Sequence, residues 1–157
     1  MNKLTPEQAA YIAGIVDGEG CISYRMERDM RLVSGHKRYP ALKVEVGNTN
    51  EELILWLLAV VGEGVTTKAR SYQNKNHKPH YSIVWKANRA LALLEQVLPY
   101  LTIKKSRAQL MLDLRAKTQQ ALGDRKTFSN QGPPEWLLIE REKAVLAMTE
   151  FNKKGVH

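Results

Sequence analysis

Ile12, Ile15 and Val16 lay an apolar stripe along a stretch that reads as helix from its first residue. Thr5 is a candidate cap, Pro6 takes the first helical position and Gln8 completes a capping box, so the helix is expected from about Pro6 to Gly18. The period then switches from helical to alternating. Cys21 to Glu27 reads as a strand, and Pro40 to Gly47 as a second, with Leu42, Val44 and Val46 on one face. Asn48 to Val61 reads as a helix capped by Asn48 or Asn50, with Glu51 and Glu52 in its first turn and Gly62 as its stop. Val65 to Tyr72 and His80 to Lys86 form two further strands, joined by a polar loop. Asn88 is expected to cap a helix to about Leu98, where Pro99 breaks the pattern. Lys104 to Leu122 is another helix. Gly123 to Pro134 reads as a linker and Glu135 to Lys153 as a final amphipathic helix. The order is αββαββα, an α+β fold. It divides into a core over residues 1–122 and an appended linker and helix over residues 123–157. No internal repeat is visible.

Alternation sorts each strand into two faces. Ser23, Arg25 and Glu27 oppose Ile22, Tyr24 and Met26. Lys43 and Glu45 oppose Leu42, Val44 and Val46. Thr66, Lys68, Arg70 and Tyr72 share a face. His80, Ser82, Val84 and Lys86 oppose Tyr81, Ile83 and Trp85. Trp56 and Trp85 read as core.

Charge gives the polar faces a meaning. The chain of 157 residues has 24 Lys+Arg against 16 Asp+Glu, a formal net charge of +8. That surplus favours a polyanionic partner, most simply nucleic acid. The basic loops Arg28 to Arg38 and Asn74 to Lys78 point the same way. One cysteine, Cys21, excludes a disulfide framework and a Cys-rich zinc site. The longest apolar run, Leu53 to Val61, is too short to span a bilayer. An intracellular chain with no membrane partner is expected.

The stretch IAGIVDGEG, Ile12 to Gly20, is unusual for a helix. Glycine inside a helix costs about 1 kcal/mol relative to alanine. Ala10, Gly14 and Gly18 are spaced four apart along one helical face, and a face of small residues lets another helix approach closely. The partner is either a second copy of the same helix across a two-fold axis or a helix of the same chain. Asp17 and Glu19 sit at the negative end of the helix dipole and need an offset. A divalent cation with hard-oxygen preference would supply one, as would solvent or nearby backbone.

Taken whole, IAGIVDGEG resembles the LAGLIDADG motif of the homing endonucleases. The differences are conservative in size or charge. The αββαββα order from about Thr5 to Leu122 and the segment LEQVLPYLTIKKSRAQ extend the resemblance. It implies a homing-endonuclease fold with a concave four-stranded antiparallel sheet. Motif helices would pack at the centre of a dimer, with Ala10, Ala13, Gly14, Asp17 and Gly18 at the interface. One motif per chain implies a homodimer. Glu19 would bind the catalytic metal, together with Gly18. Lys104, with Lys105 as the adjacent alternative, would take the place of an active-site lysine. A polar residue after the second strand would position the attacking water; Asn48 is chosen, with Gly47 and Asn50 as alternatives. The sheet would read DNA through Ser23, Arg25, Glu27, Lys43, Glu45, Lys68, Arg70, Tyr72, Ser82 and Lys86.

The resemblance also implies an activity. Two subunits would bind a long, near-palindromic duplex site and hydrolyse both strands with Mg2+, leaving short 3′ overhangs. Ca2+ is expected to support binding without cleavage. Such a chain serves intron or intein mobility in a prokaryote or an organelle. The alternative is an intron RNA maturase or a non-cleaving DNA-binding regulator of the same fold. A basic protein without a nucleic-acid site is the third reading, and salt-dependent DNA binding would reject it.

Overall fold

Thr5 opens the first helix as the sequence predicts. Its hydroxyl accepts from the Gln8 N–H at 3.3 Å, and the Gln8 carboxamide accepts from the Thr5 N–H at 2.9 Å. The reciprocal pair satisfies two donors that a helix start leaves open. The computed structural model describes residues 1–28, 38–69, 79–123, 128 and 132–153. In chain order its elements are α1 (Pro6–Glu19), β1 (Gly20–Arg28), β2 (Arg38–Asn48), α2 (Glu51–Val61), β3 (Val65–Ala69), β4 (His80–Lys86), α3 (Ala87–Val97), a single 3-10 turn (Leu98–Tyr100), α4 (Lys105–Leu122) and α5 (Glu135–Lys153). The expected order αββαββα, with a helical appendage, is the observed one.

Two helix starts are settled by local contacts. Asn50, rather than Asn48, caps α2: its side-chain oxygen accepts from the Glu52 and Leu53 N–H groups at 2.9 and 3.3 Å. Asn88 caps nothing, because β4 runs straight into α3 and the chain turns at Ala87, whose φ is +50°.

The strands form one antiparallel sheet in the order β1-β2-β4-β3. One face is covered by helices. Ile22 and Tyr24 of β1, Leu42, Val44 and Val46 of β2, and Ile83 and Trp85 of β4 are buried there. They meet Ile12 and Val16 of α1, Leu57 of α2, Leu93 and Leu94 of α3 and Met111 of α4 in one core. Trp85, wholly buried, donates its indole N–H to the Gly62 carbonyl at 3.0 Å. Met26, expected on this face, lies beyond the core and is exposed. Leu137, Ala144 and Met148 place α5 in the same core. Burial of this apolar face fixes strand register, since a one-residue slip would turn every buried side chain outward.

Candidate nucleic-acid interface and cleavage site

α1 ends where β1 begins, and Gly20 makes that junction possible. A Cβ on Gly20 would lie 2.7 Å from the Val16 backbone. The acids of the motif are delivered at this corner and meet different fates. The Asp17 carboxylate accepts three successive backbone N–H groups, from Thr102 at 2.7 Å, Ile103 at 3.1 Å and Lys104 at 2.8 Å. They belong to the turn that leads into α4, whose cap residue is Lys104, so Asp17 ties the entry of one helix to the end of another. Burial, the largest single influence on this carboxyl, would raise its pKa. The three N–H bonds and the Lys104 charge outweigh it and hold the carboxyl below the ordinary aspartate range.

Lys104 completes the corner. It occupies the cap position of α4, is only 7% exposed, and donates its ammonium to the Asp17 carbonyl. The positive charge therefore sits at the negative end of the α1 dipole. Burial pushes the Lys104 ammonium below the ordinary lysine range; Asp17 opposes that, Arg107 adds to it, and Cys21 and Glu19 are near enough to oppose it further. Lys105 is exposed at the first position of α4. Of the two lysines, the structure brings Lys104 to the acids.

Glu19 remains open. It is the last residue of α1, exposed, and makes no hydrogen bond or ion pair among the described residues. Gly18 beside it is exposed as well. Such oxygens suit a hard divalent cation that keeps most of its waters. Among the described residues no three His, Cys, Asp or Glu side chains gather to hold a metal alone.

The small-residue face divides. Ala10, Gly14 and Gly18 are exposed, and a Cβ on either glycine would meet nothing within 4 Å. Packing among the described residues thus gives no reason for glycine at positions 14 and 18. Ala13 is a correction. It is wholly buried in the chain's own core and has no surface to offer a second subunit. Asp17, also expected at the interface, has its carboxylate engaged within the chain.

On the side of the sheet away from the helices, alternation places most of the expected reading residues together. Ser23 pairs with Lys43 across β1 and β2, and Lys43 pairs with Lys86 across β2 and β4, so the three form a row. Glu45 pairs with Cys21 and with Val84, and Arg25 lies one row outward. Glu27 bridges to the Lys43 ammonium at 2.8 Å. That bond, opposed by burial and helped by the charges of Lys43, Lys86 and Arg25, keeps the Glu27 carboxyl below its ordinary value. Ser82 is buried despite its outward phase, and its hydroxyl shares a 2.7 Å hydrogen bond with Thr67.

Lys68 is a second correction. It pairs with Tyr81, and Thr66 with Ile83, so both lie in phase with the helix-covered side. The Lys68 ammonium sits 4.8 Å from the Tyr81 ring centroid and 3.9 Å from a Glu51 oxygen on α2. The outward residue of β3 at that end is Thr67, which sequence phasing missed because β3 is short and carries no apolar alternation to set its phase. Arg70, Tyr72 and the basic loops over 29–37 and 74–78 lie outside the described residues.

Asn48 is a third. It pairs with Tyr81, in phase with the covered face, and its side-chain oxygen accepts the Asn50 N–H at 2.9 Å. That oxygen serves the turn into α2. Gly47, the alternative position, carries the outward phase but no side chain.

Comparison with solved structures places the fold. Homing endonuclease I-CvuI in complex with its target aligns at TM-score 0.67 and 19% identity, over 92% of this chain and 82% of that one. The archaeal intron-encoded homing endonuclease I-Vdi141I, complexed with DNA, aligns at 0.65 and 13%, over 92% and 84%. Homing endonuclease I-TnaI aligns at 0.57 and 16%, over 97% and 96%. No protein-family model matches the chain, and no curated protein sequence does. The chain has the homing-endonuclease fold.

Proposed function

We propose that the chain is a site-specific, metal-dependent DNA endonuclease that acts as a homodimer. The observation that carries the reading is the corner between α1 and α4. Glu19, unpaired among the described residues, and a buried Lys104 meet there, at the end of a helix face whose glycines pack against none of the described residues. Two such faces meeting across a two-fold axis would bring two Glu19 carboxylates to the centre of a duplex site. The fold shared with DNA-bound homing endonucleases supports the same reading.

Glu19 and the Gly18 backbone would hold magnesium, which supplies an activated water and a Lewis acid for the leaving oxygen. Lys104 supplies a fixed positive charge for the developing negative charge on the scissile phosphate. Asp17 keeps that lysine in place by tying the three backbone N–H groups of residues 102–104 to the motif helix. Each subunit cuts one strand, leaving short 3′ overhangs. Arg25, Lys43, Lys86, Glu27, Glu45 and Ser23 offer the donors and acceptors that read base edges in a major groove. The biological role is intron or intein mobility, with residues 1–122 as the endonuclease core and residues 123–157 as its appendage.

The test is cleavage of a randomised-site plasmid library with magnesium, with calcium and without metal, followed by sequencing of cut ends. Cuts at one near-palindromic site with magnesium alone are expected. Specific binding in calcium with no cutting in magnesium would replace this reading with a binding module, and intron RNA would be the next substrate.

A further inference from the structure

Gly47 marks an opening on the outward face, and another residue fills it. β1 and β2 pair as far as Gly20↔Val46, so Gly47 lies one residue beyond the last pair, at the end of the sheet where α1 passes into β1. Gly47 pairs with Ser82 on its other side, so it shares the outward phase. A Cβ on Gly47 would fall 2.6 Å from both Cε1 and Nε2 of His80. No real side chain tolerates that distance, so the imidazole occupies the volume that a residue at position 47 would otherwise use. His80 begins β4 at the same end of the sheet, in the outward phase and exposed. Its ring reaches back across one strand to cover Gly47, next to the Val46 that pairs with Gly20 at the α1–β1 junction. Strands lie about 4.8 Å apart, so the ring over Gly47 stands about one strand spacing from the α1–β1 junction.

We infer that His80 is a positioning residue of the cleavage site, whose imidazole orients the attacking water or a phosphate oxygen beside Glu19. The inference rests on the endonuclease reading. The groups around it fit the role. Gly47 and Ser82 offer no charge, and the Asn48 side-chain oxygen is held in the turn into α2. The Ser82 hydroxyl is engaged with Thr67. His80 therefore supplies polar atoms at the Glu19 end of β2 and β4, and an imidazole can both donate and accept a hydrogen bond. Glycine at position 47 is what admits it, because even alanine there would strike the ring.

The experiment measures single-turnover cleavage in magnesium and duplex affinity in calcium, on the target sequence recovered from the plasmid library. For His80→Ala the cutting rate is expected to fall about 100-fold, with affinity changed less than about 3-fold. His80→Gln, which keeps a donor and an acceptor, is expected to recover part of the rate. Gly47→Ala should displace the imidazole and lose rate to a similar extent, and the double variant should lose little more than either single one. A His80→Ala chain that cuts at the wild-type rate would overturn the inference and leave the endonuclease reading standing. Equal loss of affinity and rate would also overturn it, by making His80 a binding or folding residue. A wild-type chain that binds its target but cuts nothing would remove the reading and the inference together.

Discussion

The corner between α1 and α4 and the outward face of the sheet are built on opposite principles. At the corner, one carboxylate holds three backbone N–H groups and a buried ammonium holds a backbone carbonyl. Positions are set by main chain on both sides, so each atom has one place. On the sheet, Arg25, Lys43, Lys86 and Glu45 are set only by alternation, and their ends are exposed or half-buried. Lys43 alone of these has an ion pair among the described residues, its bridge to Glu27. The difference separates two requirements. Chemistry needs fixed charge, whereas recognition needs side chains that can be exchanged without disturbing the fold.

If that separation holds, Glu19→Gln should lower cutting by at least about 1000-fold, the upper range for removing a key electrostatic group. Its affinity for target DNA in calcium should stay within about 3-fold. Parallel loss of binding in a mobility-shift titration would mean that corner and face are not separable.

Asp17→Ala should cost about 2 kcal/mol in urea unfolding, the scale for removing hydrogen bonds to a charged group. It should also slow cutting by loosening Lys104. The pH dependence has a definite sign. Because the carboxyl is held below its unfolded value, its stabilisation is complete above about pH 3.9 and fades as pH falls through the lower folded value. Asp17→Asn should lose that acid-limited part of the stability profile. An unchanged profile would leave the Asp17 tie without a stabilising role.

Gly14→Leu probes the open helix face. Sedimentation at micromolar concentration should show monomer where the wild type shows dimer, with each monomer folded by circular dichroism. A stable dimer in that variant would place the interface elsewhere.

Lys43→Met should change base preference at one symmetric pair of positions by about 1–3 kcal/mol, read by sequencing bound sites. Lys68→Ala should be the mildest change. Its exposed pair with Glu51 is worth under about 1 kcal/mol, and its helix-side phase predicts an unaltered target profile. A changed profile for Lys68→Ala would contradict the β3 register.

Much of the architecture was legible because it rests on local patterns. The Thr5-Pro6-Gln8 start, the alternation in β1, β2 and β4, and the apolar faces of the helices are set by neighbours in sequence. The motif also located the acids and Lys104. For acids at a helix end the sequence offered a cation, solvent or nearby backbone as the offset. For Asp17 the structure supplies backbone: the turn before α4 presents its N–H groups to the carboxylate, and Lys104 presents its ammonium to the Asp17 carbonyl. Those groups are more than eighty residues away, which no local pattern can register.

The same limit explains the misplacements. The resemblance put Ala13 at the interface with the other small residues, but its side of the helix is decided by what packs there. Lys68 was phased within a strand that has too few apolar residues to reveal its own register; pairing with β4 decides it. Asn48 was drawn into a turn by its neighbour Asn50. His80 gains its place only because Gly47, on another strand, has no side chain. The sequence by itself determined the elements, their order, the basic surplus and the motif, since each depends on residue type and spacing. The tertiary structure alone decided which face each side chain joins and which charges meet, because both depend on strand pairing and on contacts between residues far apart in the chain.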